Sequence, residues 1–185
     1  EYIVGENVNQ LSIEQCEELG ELHASLIQVF PDLEAQVIQS LENLIENCFR
    51  NIASITTEAE IQLLRKLLKQ LFPSKIIPVF DHQDTGRHNT IVDETGKLWL
   101  IDEEAFGIVP FGYTSYRLMN LANGATCETD EQKIAYLNQF PEEHVRYYEE
   151  TKVFWEFLSR LRSAGRQMMY RPTAARSNIE PYLIQ

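Results

Sequence analysis

The chain has 185 residues and a formal net charge of −12, from 16 Lys and Arg against 28 Asp and Glu, which suits one domain or one lobe of a larger protein. The acidic balance argues against a general nucleic-acid binder, because such proteins need a basic face to neutralise phosphates. The chain has no apolar run of the ~20 residues that span a bilayer, whereas its 9 Phe, 8 Tyr and 2 Trp can build a core.

Three cysteines, Cys16, Cys48 and Cys127, are widely spaced and form no C-x-x-C motif. Their odd number argues against a disulfide framework, and their spacing argues against a zinc site. Reduced thiols, together with the absence of a visible signal peptide, indicate a cytoplasmic protein. Because the chain begins at Glu1 without Met, we expect further sequence upstream.

Residues 1–72 carry three amphipathic helical patterns with little polar chemistry, which predicts a helical subdomain. Ser12 with Gln15, and Thr57 with Glu60, form capping-box patterns at the start of the first and third helices. Two prolines, which cannot continue a helix, close those helices: Pro31 and Pro73.

Residues 75–112 have the composition of short strands and turns. Residues 76–80 form a strand-like apolar run. Residues 89–93 and 97–101 flank an Asp-Glu-Thr-Gly turn, which predicts a β-hairpin. Residues 106–112 contain two glycines and a proline and are predicted to form an irregular loop.

A second helical subdomain is predicted at residues 113–185. Its helices are residues 115–121, residues 130–139 and a long helix that begins at Pro141 and stops near Gly165. The tail from Arg171 contains two prolines, which predicts an extended, loosely held end.

Polar side chains gather at one end of the predicted hairpin. Asp84 and Asn89 precede its first strand and Asp102 follows its second, and antiparallel pairing brings those ends together. Carboxylate and amide oxygens are ligands that Mg²⁺ prefers. Spacing alone leaves a merely solvated turn as the alternative. The full order His-x-Asp-x₄-Asn, strand, turn, strand, Ile-Asp is much rarer by chance.

This ordered motif, from His82 to Asp102, resembles the catalytic core of protein-kinase-like phosphotransferases, nearest to the aminoglycoside phosphotransferase and choline-kinase-like group. Residues 2–6 and the following helix, with a Leu-His pair ending at His23, are similar to that family's hinge and first large-lobe helix. The resemblance covers most of residues 1–124. It implies a mainly α fold with a small β-hairpin, namely a protein-kinase-like C-terminal lobe.

Carried over residue by residue, the resemblance implies that Asp84 orients or deprotonates the acceptor hydroxyl and that Asn89 and Asp102 bind metal. His82 matches a structural histidine that ties the catalytic loop to the metal-binding segment. The implied activity is transfer of the γ-phosphate of ATP, with Mg²⁺, to a hydroxyl of a small molecule.

Departures from the family pattern leave the identity of the acceptor substrate undetermined. Gln83 stands where Gly is usual, residues 85–88 differ from the usual loop, and Glu103 replaces Trp. Acidic groups favour a cationic acceptor such as an amino-sugar or amino-alcohol. The candidate substrate-binding residues are Glu104, His88 and Glu103. The alternatives are a weak or inactive kinase-like scaffold or binding module, and a helical interaction domain with a chance motif.

The nucleotide-binding half of a kinase is not found in this sequence. The 185 residues contain no glycine-rich strand-loop-strand and no Val-Ala-x-Lys strand, both of which hold nucleotide phosphates. We therefore expect a C-terminal lobe without its N-terminal lobe, inactive by itself.

Overall fold

The computed structural model describes residues 5–7, 11–84, 89–120, 126–168 and 170–183. For residues 5–7 and 103 it describes the backbone alone. The described residues form a mainly helical fold with two small antiparallel sheets, which confirms the predicted combination of helices with a β-hairpin. Within these ranges, no helix is long and apolar enough to span a membrane.

The secondary-structure elements follow the predicted order in most of the chain. The helices are α1 (Ile13–Leu26), α2 (Glu34–Ile52), α3 (Glu58–Leu71), α4 (Tyr113–Asn120), α5 (Asp130–Leu137), α6 (Glu142–Gln167) and α7 (Pro172–Ile179). The strands are β1 (Gly5–Asn7), β2 (Pro78–His82), β3 (Thr90–Asp93), β4 (Leu98–Leu100) and β5 (Phe106–Pro110). Both predicted capping boxes are confirmed, Ser12 with Gln15 at α1 and Thr57 with Glu60 at α3.

One sheet has the strand order β1-β3-β4, in which β3 and β4 form the predicted hairpin. Asp93 closes the hairpin turn, because its Oδ1 accepts hydrogen bonds from two backbone N–H groups of the turn. Gly96 has φ +87°, a conformation that glycine adopts without steric cost. This turn fixes the register that pairs Thr90 with Leu100.

The second sheet pairs β2 with β5, with His82 opposite Phe106 and Pro78 opposite Pro110. The predicted irregular loop at residues 106–112 is therefore wrong for its first five residues. Pro110 stands at the strand end, where its missing N–H interrupts no interior pairing. Gly107, the other apparent strand breaker, leaves room for the Gln83 side chain that a Cβ would displace.

Two predictions near the C-terminus are also wrong. The long helix α6 continues to Gln167, beyond the predicted stop at Gly165, because that glycine packs inside the helix close to Asn51. The tail after Arg171 is helical, since Pro172 is the first residue of α7, where its fixed φ and missing N–H suit a helix start.

The chain forms two compact units, each discontinuous in sequence. One unit comprises Glu1–Leu33 and Ile77–Glu150, and the other comprises Glu34–Ile76 and Thr151–Gln185. In the first unit α1 packs on α5, and its buried core includes Leu19, Leu118, Tyr136 and Phe140. The buried side chains of the second unit include Leu41, Ile45, Leu64, Phe154 and Leu158.

Candidate active site

His82, the last residue of β2, connects two segments of the candidate site. Its side chain is fully buried, and Nε2 lies 3.0 Å from the carbonyl oxygen of Ile101 and 3.1 Å from that of Asp102. Because both partners are carbonyl oxygens, Nε2 carries the proton and donates it. The edge of the imidazole also packs on the Phe106 ring, with the ring centroids 4.8 Å apart. His82 thus ties the segment before the hairpin to the segment after it.

Asn89 connects the two ends of the loop that precedes β3. Its side-chain Nδ2 donates a hydrogen bond of 2.8 Å to the carbonyl oxygen of Asp84. Its own carbonyl oxygen accepts a hydrogen bond of 3.0 Å from the N–H of Ile101. The buried amide is therefore fixed with its nitrogen on Asp84, so Oδ1 is the atom left to act as an oxygen ligand.

Asp102 follows β4 and has φ +71°, in the left-handed region. That conformation is uncommon for residues other than glycine, although Asp and Asn adopt it more often than most. The carbonyl oxygen of Asp102 accepts a hydrogen bond from the N–H of Ala105, which closes the 3₁₀ turn Glu103–Ala105. The Asp102 side chain is exposed, one residue beyond the Asn89–Ile101 hydrogen bond.

Arg117, on α4, binds Asp84, the predicted acceptor-binding residue. Its Nη2 donates a hydrogen bond of 2.8 Å to Asp84 Oδ1, and its Nη1 donates one of 2.5 Å to the carbonyl oxygen of Gln83. Arg117 is not among the site residues predicted from the sequence. No short-range pattern connects it to Asp84, and only the fold brings the two together.

A buried polar cluster lies in the same unit, on α1, β2, α4 and α5. His23 Nδ1 lies 3.1 Å from the Tyr136 hydroxyl and 3.8 Å from Asp81 Oδ1. The Tyr136 hydroxyl lies 3.3 Å from Ser115 Oγ. Asp81 also accepts a hydrogen bond of 2.8 Å from the backbone N–H of His82, which joins this cluster to the candidate site.

Burial controls ionisation in this cluster. Desolvation, with a smaller contribution from the neighbouring His82, lowers the pKa of His23 to about 3. Desolvation also raises the pKa of Asp81 to about 6, and it raises the pKa of Tyr136 above its usual range. His23 is therefore neutral at pH 7, in contrast to an exposed histidine near its titration point.

The three predicted substrate-binding residues lie on either side of the hairpin in sequence. Glu103 and Glu104 belong to the turn after Asp102, and the Glu104 side chain is exposed. His88 lies outside the described residues. In the described part of the chain no three His, Cys, Asp or Glu side chains form a metal-binding group. The predicted metal ligands are the pair Asn89 and Asp102. A pair of oxygen ligands fits Mg²⁺ that also binds substrate phosphates.

Comparison with known proteins does not add a family assignment. No protein-family model matches the chain, and no curated protein matches it significantly.

Proposed function

We propose that the chain is the catalytic lobe of a kinase-like, ATP-dependent phosphotransferase that phosphorylates a hydroxyl of a small molecule. One arrangement supports this proposal above all. His82 binds the carbonyl oxygens of residues 101 and 102 while Asn89 binds that of Asp84, so the motif residues gather at one hairpin end. A chance motif in a helical interaction domain has no need for these cross-connections.

Asp84 has the exposure that an acceptor-binding carboxylate requires. Its side chain is 42% exposed, although its backbone and carboxylate are held by Asn89 and Arg117. In the proposed reaction the carboxylate accepts a hydrogen bond from the acceptor hydroxyl and receives its proton as the phosphoryl group transfers. Holding the hydroxyl in line with the γ-phosphate supplies most of the rate gain, because this reaction needs little covalent participation by the protein.

Asn89 and Asp102 are the residues that would hold Mg²⁺ in this proposal. The donor set fits the ion, because the Asn89 amide is fixed with its oxygen free of Asp84 and the Asp102 carboxylate is exposed. When bound with ATP, the ion neutralises phosphate charge. The left-handed conformation of Asp102 is the kind of local strain found at functional sites.

The acceptor is proposed to be a cationic alcohol, such as an amino-sugar or an amino-alcohol. Asp102 and Glu104 both expose carboxylates within three residues of each other, and the whole chain carries a charge of −12. Negative potential around a site concentrates cations there.

The test is a phosphotransfer assay with radiolabelled ATP and Mg²⁺, performed on the chain together with a nucleotide-binding lobe supplied in cis or as a separate chain. Amino-sugars and amino-alcohols are compared with neutral sugars as acceptors. Asp84→Asn keeps the shape of the side chain and removes its basicity, so turnover should fall by about 10²-fold or more. Asp130→Asn, at an exposed position on α5, is the matched control and should keep full activity.

Two results would contradict the proposal. Unchanged turnover in Asp84→Asn would remove Asp84 from the reaction. The absence of transfer to every acceptor would instead favour the inactive kinase-like scaffold.

A further inference from the structure

We infer that Arg117 is the positioning residue for the Asp84 carboxylate, an inference that rests on the proposed phosphotransferase function. Arg117 donates to two acceptors at once, the Asp84 carboxylate and the Gln83 carbonyl oxygen. Its side chain is only 15% exposed, whereas that of Asp84 is 42% exposed. The cation is thus the enclosed partner, and the carboxylate remains accessible to an acceptor.

The element that carries Arg117 is well suited to hold a catalytic group. Helix α4 buries most of its length, and the buried residues are Tyr113, Thr114, Ser115, Leu118 and Met119. Groups mounted on a packed helix are placed more accurately than groups on a loop. With the Asn89 amide on the Asp84 carbonyl oxygen, three hydrogen bonds from two side chains hold residues 83 and 84.

The chemistry of this contact requires arginine. A guanidinium presents several N–H donors in a rigid fork and can span a carboxylate and a carbonyl oxygen, whereas a lysine ammonium acts as a single point charge. Arg117 therefore holds the Asp84 carboxylate turned so that it can orient the acceptor hydroxyl.

The experiment compares Arg117→Lys and Arg117→Met with Arg160→Met, a control that removes an exposed ion pair to Glu156. In the phosphotransfer assay with a nucleotide-binding lobe supplied, kcat should fall about 10-fold in Arg117→Lys and about 100-fold in Arg117→Met, because small misplacements of a catalytic group are costly. The KM for ATP should change less than about 2-fold, since Arg117 acts on the acceptor side. Arg160→Met should match the wild type.

A second measurement uses the 185-residue chain alone and needs no activity. The side-chain amide protons of Asn89 are buried and bonded to Asp84, so opening the Arg117 contact should speed their exchange with solvent at least 10-fold in Arg117→Met. If the wild type transfers no phosphate, the proposed function fails, and this exchange still decides whether Arg117 holds Asp84. Wild-type exchange in Arg117→Met would overturn the inference, and so would a wild-type kcat in that variant.

Discussion

At the scale of single residues, the backbone of Asp102 carries a measurable cost. A left-handed conformation costs most L-residues about 1–2 kcal/mol, less for Asn and Asp and nothing for Gly. We therefore expect Asp102→Ala to lower the free energy of unfolding by about 1 kcal/mol, Asp102→Asn to be near neutral, and Asp102→Gly to be neutral or stabilising. Urea unfolding of the three variants measures this, and equal stability of the Ala and Gly variants would contradict the strained backbone.

The buried His23 and Asp81 predict opposite pH dependences of stability. The pKa of His23 is lowered from 6.5 to about 3, so between these pH values the unfolded state binds more protons than the folded state. The contribution of His23 to the free energy of unfolding is therefore lost as pH falls through this range. The pKa of Asp81 is raised from 3.8 to about 6, so its contribution is present at low pH and is lost as pH rises to 6. In the wild type the two slopes largely cancel between pH 4 and 6.

Substituting either His23 or Asp81 should reveal the pH dependence of stability that the other residue causes. In Asp81→Asn the free energy of unfolding should rise with pH between about 4 and 6, because only His23 remains. In His23→Gln it should fall over the same range. Each slope can approach about 1.4 kcal/mol per pH unit, the value for one proton. Chemical unfolding at several pH values gives the slopes, and parallel curves for the two variants would contradict the assignment.

Individual site residues differ in how far the sequence predicts them. His82, Asp84, Asn89 and Asp102 are recognisable because they lie within one local motif around a hairpin whose turn is itself visible in the sequence. Arg117 is not, because its contact with Asp84 depends on where α4 packs. The buried polar cluster likewise joins residues from four separate elements.

At the scale of elements, the contact between α1 and α5 depends on Gly20. A Cβ at this position would lie 2.5 Å from the carbonyl oxygen of Tyr136, a backbone atom that cannot rotate away. Overpacking costs about 1–3 kcal/mol, which exceeds the ~1 kcal/mol that Ala gains over Gly in a helix. Gly20→Ala should therefore lower the melting temperature.

Gly165 provides the matched control, since it is also a helical glycine. A Cβ there would meet its nearest neighbour, the Asn51 side chain, at 3.4 Å, an ordinary contact. Gly165→Ala should raise the stability by up to ~1 kcal/mol through helix propensity alone. Equal shifts of the melting temperature for the two variants would show that the contact with Tyr136 does not exclude a larger side chain at position 20.

Elements were predictable where local signals agree with the fold. Capping boxes locate α1 and α3, and the Asp-Glu-Thr-Gly turn locates the hairpin. The same local rules mislead where proline takes a permitted position. Pro110 ends a strand and Pro172 begins a helix, so each marks a boundary of regular structure rather than its absence.

At the scale of the whole molecule, we expect the 185 residues to bind nucleotide weakly by themselves. Asn89 and Asp102 supply one amide and one carboxylate, and Mg²⁺ dehydrates reluctantly, so the pair alone holds it poorly. The phosphates also need a lysine and a glycine-rich cover, which this sequence does not contain. Calorimetric titration with ATP and Mg²⁺ tests this, and adding a nucleotide-binding lobe should restore binding. Micromolar affinity of the chain alone would place the nucleotide site elsewhere.

The pairing of β1 with β3 has a consequence for the order of folding. Gly5 pairs with Asp93, which closes a loop of roughly 90 residues, whereas β3 and β4 are joined by a tight turn. The length-dependent entropy of closing the long loop is about 4 kcal/mol, against about 1 kcal/mol for the turn. In pulsed hydrogen exchange, β3 amides bonded to β4 should therefore gain protection before those bonded to β1. A refolding chain would regain its helical signal first, and its sheet would be completed only when β1 docks.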